Sequence, residues 1–252
     1  TILNRELSAH MMTVKKDNLG VKLNIHNHFT DLSESQKAAY RKVKTDIQSG
    51  QSAEVTEFSQ NARVLNEIHH SANPKFERMK QIIDNHLASK EANEKIAIKA
   101  TTNKEVDNIK DFLSTHYGDH EAVTFTGKES QAQIRKNMDR LKTDSKVKFS
   151  IHTNAGKEGL NIQYDNQNQG GITTAIALGS GEHGHAALDQ FYSRGYRRGA
   201  KKDVDAHILL TNTPHDLQTM TRLEDKERLG MQFQDSRKAA SSLVEAAKGD
   251  DE

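Results

Sequence analysis

The sequence predicts an α/β fold: a parallel sheet with helical flanks at both ends. Short apolar runs alternate with amphipathic stretches of about 10–15 residues, the rhythm of strand–helix–strand units. The polar residues with chemical potential fall just after the apolar runs, where parallel sheets bind ligands. The chain has 252 residues, enough for one or two domains.

The elements follow in order. Val21 to Phe29 (VKLNIHNHF) alternates apolar and polar residues and reads as a strand. Ser33-Glu34-Ser35-Gln36 has the capping-box pattern and opens a helix running toward Ile47. Gly50 to Ser52 breaks it, and Glu54 to His70 is expected to be helical again. Asn73-Pro74 starts a helix with Phe76, Met79, Ile82, Ile83 and Leu87 on one face. Lys95 to Ala100 (KIAIKA) is a strand. A helix then covers Asn103 to Tyr117, with Val106, Ile109, Phe112 and Leu113 facing inward. Ala122 to Phe125 is a strand, Gln131 to Leu141 a helix, and Lys146 to Thr153 (KVKFSIHT) a strand. Asp165 to Gly171 (DNQNQGG) reads as an exposed insertion. Thr173 to Leu178 and Asp205 to Thr211 are the last strands, and a charged helical pattern follows Pro214 to about Ala247.

Composition narrows the function classes. The hydrophobic fraction is 34%, and 28% of residues are charged. Ordinary globular chains are about 45–50% apolar when glycine is counted, so one core with polar flanks is expected. The net charge is +1, so any attraction for phosphate must be local. Cysteine is absent, which excludes disulfides and thiolate metal sites and is compatible with a cytoplasmic setting. No run approaches the about 18 apolar residues of a membrane span. The chain begins with Thr1 and reads as a piece of a longer polypeptide. A bacterial or mobile-element origin is the expectation from its Asn/Gln/Lys/His-rich surface.

The most informative stretch is Gln190 to Val204, QFYSRGYRRGAKKDV. On a helix, Arg194 and Arg197 would share a face. Guanidinium forks match phosphate oxygens and stabilise charge that develops during phosphoryl transfer. No GxxxxGK[ST] loop and no DExx-type box accompanies them, so the nucleotide would be held mostly by something else. The bland alternative is a solvated basic surface. Asn154 to Gln163 (NAGKEGLNIQ) follows a strand directly. Its Gly156 and Gly159 allow close backbone approach to a ligand, and Asn161 offers an amide. His26-x-His28 and Glu182-His183-x-His185 invite a metal reading, but His26 and His28 lack visible partners, and no metal site is expected.

Taken in order, KIAIKA, TGKESQAQIR (Thr126 to Arg135), HTNAGKEGLNIQ and QFYSRGYRRGA resemble the second RecA-like lobe of superfamily 2 helicases and translocases, nearest to the Swi/Snf-type branch. The likeness covers about Pro74 to Thr211. FTDLSESQKAAY (Phe29 to Tyr40) resembles the connection between the two lobes, and Arg5 to Ile25 resembles strawberry-notch relatives. The family's D-W-N-P-like segment is replaced by GSGEHGHAALD (Gly179 to Asp189). His152 stands where a serine usually precedes the fifth-motif threonine.

The resemblance implies a three-layer RecA-like sheet of the P-loop NTPase type. Residues 1–72 would form the connecting segment, 73–213 the second lobe and 214–252 a helical tail. It implies that Arg194 and Arg197 are arginine fingers, that Gln190 positions their helix, and that Gly159 and Asn161 line the nucleotide side. Thr153, with Thr102 or Asn103, would touch the nucleic-acid backbone. ATP and Mg²⁺ would be held mainly by a first lobe of the same polypeptide, and the chain alone would be inactive. The track would be DNA, with RNA as the alternative. A non-catalytic RecA-like interaction module is the second reading.

Overall fold

The computed structural model describes residues 20–49, 65–91, 93–154, 162–163, 170–179, 185–213 and 216–217. Gly156, Gly159, Asn161, most of the Arg5 to Ile25 stretch, the helix expected across 54–64 and the helical tail beyond 217 lie outside them.

Six strands form one sheet: β1 (Leu23–Thr30), β2 (Glu94–Lys99), β3 (Glu121–Phe125), β4 (Val147–His152), β5 (Gly171–Ala177) and β6 (Val204–Thr211). Their order is β1-β6-β5-β2-β4-β3, and every pairing is parallel. Strands β2, β4 and β5 are buried along their whole length, so they read as near-continuous apolar runs. Edge strand β1 alternates instead, and it leaves Ile25 and Phe29 exposed.

The helices are α1 (Glu34–Gln48), α2 (Pro74–Ser89), α3 (Asn103–His116), α4 (Gln131–Thr143) and α5 (His185–Tyr192). One core joins Phe76, Met79 and Ile83 of α2 and Ile109 and Phe112 of α3 to Ile96, Ile98, Phe149 and Ile151. The other joins Ile134 and Leu141 of α4 and Leu188 and Phe191 of α5 to Ala97, Ala175 and Ala206. Helices therefore cover both faces, giving the three-layer α/β architecture that the sequence predicts. Each of the Leu, Ile, Met and Phe side chains contributes about 1.5–3 kcal/mol on burial.

Local chemistry sets the boundaries. Ser33 Oγ accepts from the Gln36 N–H and Gln36 Oε1 accepts from the Ser33 N–H, a reciprocal capping box for α1. Asn73, Thr102 and Ser130 cap α2, α3 and α4 through their side-chain oxygens.

Three local expectations are corrected. His70–Ala72 forms a 3₁₀ turn rather than the end of an α-helix, because the His69 backbone is extended. Gly170 and Gly171, read as part of an exposed insertion, are buried, and Gly171 opens β5. A Cβ on Gly170 would lie 2.9 Å from Lys95 Cε and 3.0 Å from two carbonyl oxygens, so only glycine fits there. Helix α5 ends at Tyr192, so Arg194 and Arg197 share no helix face. The Arg194 N–H reverts to a three-residue bond to Phe191 O (3.3 Å), and Gly195 likewise to Tyr192 O (3.1 Å). A Cβ on Gly195 would meet Ile172 O at 2.9 Å, so the turn lies directly against β5.

Candidate nucleotide-facing edge

The carboxyl ends of β2, β4 and β5 are neighbours: Lys99 aligns with His152 on one side and Ala177 on the other. The ladder runs on past both strand ends, through Ala100 N–H to His152 O (2.8 Å) and Thr153 N–H to Phe125 O (3.2 Å). The turn after α5 lies on the same edge. Arg194 Nη1 contacts His152 Nδ1, and the Ile162 N–H reaches Arg194 O (3.3 Å). Ile162 is the residue after Asn161, so the end of the glycine loop and the arginine turn are joined through backbone.

His152 is buried between Phe125, stacked at 5.0 Å, and Phe191, edge-on at 5.7 Å. Burial and the neighbouring guanidinium hold its pKa well below the usual imidazole range. The ring is neutral, so Nδ1 accepts from Arg194 and Nε2–H donates to Ser150 Oγ (2.9 Å). Burial lowers Arg194 itself to about 10, which leaves it charged at neutral pH.

Lys99 and Glu105 complete the edge. Lys99 is 5% exposed, and burial, opposed by the Glu105 charge, lowers it to about 8. Glu105 is pushed up to about 7 by burial, while its Oε2 accepts from the Thr101 N–H at 2.6 Å. At the end of β6, Asp216 Oδ2 accepts from Thr211 N–H and Oγ1 (2.7 and 2.8 Å) and lies 3.5 Å from Lys75 Nζ. Lys75 also donates to Asn66 Oδ1 at 2.8 Å. A buried ion pair of this kind needs such hydrogen bonds to offset its desolvation.

The predicted residues divide. Arg194 is half-buried on this edge, whereas Arg197 and Gln190 are exposed. Thr102 and Thr153 follow neighbouring strands. The Thr102 hydroxyl accepts from the Glu105 N–H (3.2 Å), and Thr153 is buried. Asn103 is exposed at the first position of α3. The sequence reading missed Lys99, Glu105 and the role of His152. Two lysines in KIAIKA, Lys95 and Lys99, four residues apart on one strand face, were the available signal.

His28 has hydrogen-bond partners from other elements. Its Nε2 meets His207 Nδ1 at 2.9 Å, and Arg78 donates to its Nδ1 at 3.1 Å. The three rings of His26, His28 and His207 stack in a cleft between β1, β6 and α2.

Residues 74–167 match the model of the helicase conserved C-terminal domain. None of the curated proteins matches the chain. Among solved structures, the chain resembles the Sulfolobus solfataricus SWI2/SNF2 ATPase C-terminal domain, at TM-score 0.58 and 12% identity over 82% of this chain and 87% of that one. It also resembles the C-terminal part of the Fun30 ATPase domain, at TM-score 0.59 and 14% identity over 77% and 86% of the two chains. The Sulfolobus solfataricus SWI2/SNF2 ATPase core in complex with dsDNA gives TM-score 0.57 and 17% identity over 75% of this chain and 41% of that core. The chain therefore has the RecA-like fold of the C-terminal lobe of SWI2/SNF2 ATPases. Among the described residues, no helix is long and apolar enough to cross a membrane.

Proposed function

We propose that the chain is the C-terminal motor lobe of a DNA-dependent ATPase, and that Arg194 is its principal arginine finger. The observation that carries this reading is Arg194 at the carboxyl end of β4, its backbone tied to the end of the glycine loop and its charge beside Lys99. Two cations on one partly buried edge suit the polyphosphate of ATP, presented with Mg²⁺ by a first RecA-like lobe of the same polypeptide. Closure of the lobes would draw Arg194 from His152 toward the γ-phosphate, and hydrolysis would let it return. Arg197, exposed three residues on, is the second finger; Gln190, Gly159 and Asn161 support the nucleotide side. Asn103 and Thr102, exposed and partly exposed at the start of α3, would contact a DNA backbone with small amide and hydroxyl groups that carry no sequence readout, and Thr153, buried at the neighbouring strand end, would join them only on rearrangement. The duplex in the Sulfolobus complex favours DNA over RNA as the track.

One observation favours a second reading, a non-catalytic RecA-like interaction module: Arg194 is engaged by His152 rather than open to a ligand. ATP turnover with and without duplex DNA separates the two, measured on this chain alone and on the full-length polypeptide with its first lobe. The motor reading expects no turnover above blank from the chain alone and DNA-stimulated turnover from the full-length protein. Absence of turnover in both favours the module.

A further inference from the structure

On the face of the domain carrying α2 and α3, outside the nucleotide-facing edge, three potential metal ligands converge. His69 Nε2 and His70 Nε2 lie 3.2 and 3.0 Å from the same carboxylate oxygen, Oδ2 of Asp111. The three ligand atoms all fall within 4.8 Å of one another. Two atoms bound tetrahedrally to zinc at about 2.0–2.1 Å are about 3.3 Å apart, so the two histidine–carboxylate spacings are close to those of a shared ion.

The scaffold is preorganised. The side-chain amide of Asn108, one turn before Asp111 on α3, accepts from the His70 N–H (2.8 Å) and donates to Ile68 O (2.7 Å). That bidentate grip fixes the backbone presenting both histidines. The His70 ring is almost wholly buried against Phe76 and Phe112, with centroids 5.9 and 5.7 Å away. His69 Nδ1 accepts from the Ser71 N–H (3.3 Å) and lies 2.8 Å from Ser71 Oγ, which fixes the ring and turns Nε2 toward Asp111. Such an outer partner orients metal-binding imidazoles generally. His69 and Asp111 are exposed, which leaves an entry path and room for a water ligand.

We propose that His69, His70 and Asp111 form a divalent transition-metal site, selective for zinc-like ions, that clamps the segment before α2 onto α3. Two imidazoles and one carboxylate suit zinc, cobalt and nickel and disfavour magnesium and calcium.

The test is calorimetric titration of the chain with ZnCl₂, alongside CoCl₂ with visible absorbance as a geometry probe. The expected result is one ion per chain, a tetrahedral cobalt spectrum and a zinc-dependent rise in Tm. Affinity should fall more than about 10-fold in His69→Ala and in the size-conserving Asp111→Asn, and stay unchanged in His28→Ala. Equal zinc affinity in wild type and Asp111→Asn, or loss of binding in His28→Ala alone, would overturn the proposal.

Discussion

At the scale of single residues, the contact between Arg194 and His152 organises the candidate site. The imidazole is neutral, buried and committed at both nitrogens. His152→Leu keeps the apolar packing against Phe125 and Phe191 but removes the acceptor for a partly buried guanidinium. A hydrogen bond to a charged group is worth about 1.5–3 kcal/mol, so urea unfolding should show a loss of that order. The same substitution removes one restraint on Arg194. Under the motor reading, turnover of the full-length protein should fall far less than in Arg194→Ala. Gly195 is the second sensitive position, since a Cβ there would sit 2.9 Å from Ile172 O. Gly195→Ala should cost about 1–3 kcal/mol by prying the arginine turn from β5, read as a lower urea midpoint with unchanged m.

At the scale of elements, β1, β6 and α2 carry a pH-sensitive seam. Arg78 donates to His28 Nδ1, so His28 Nε2–H donates to His207 Nδ1, and neither ring can take a proton without breaking the chain. Burial, with the neighbouring charges of His28 and His26, pushes His207 down to about 4; burial also pushes His86 down to about 4. The unfolded imidazoles titrate near 6.5, so between about 6.5 and 4 the unfolded state binds more protons. Stability is therefore full above pH 6.5 and falls as pH drops toward 4. Each of the two groups should withdraw roughly 2 kcal/mol between pH 7 and 5. His207→Asn should flatten the Tm–pH profile over that window. An unchanged slope would show that His207 is not the responsible group.

This seam shows where sequence reasoning stops. His26 and His28 were legible as neighbours on one strand face, yet their partner His207 lies on a strand about 180 residues away, paired only by the sheet register. The fold was legible because β2, β4 and β5 are buried on both faces and show it as apolar runs, and because Ser33 and Asn73 mark helix starts. The end of α5 was not, because Gly195 is placed by a tertiary approach to Ile172 that no local pattern reports. Lys99 and Glu105 were overlooked for a related reason: their burial is created by helices packed over the strand ends.

At the scale of the whole molecule, the sheet order gathers the ends of β2, β4 and β5 under the arginine turn. Under the proposed motor reading, the other half of an ATP site would come from another lobe. The central claim is that Arg194 acts on the γ-phosphate in the transition state. It is tested most directly by steady-state kinetics of DNA-stimulated ATP hydrolysis in the full-length protein, comparing wild type, Arg194→Ala and Arg197→Ala, with ATP and DNA binding measured on the same samples. The account predicts a fall in kcat of about 10³-fold for Arg194→Ala with both affinities retained. Unchanged kcat in Arg194→Ala, with binding intact, would contradict it.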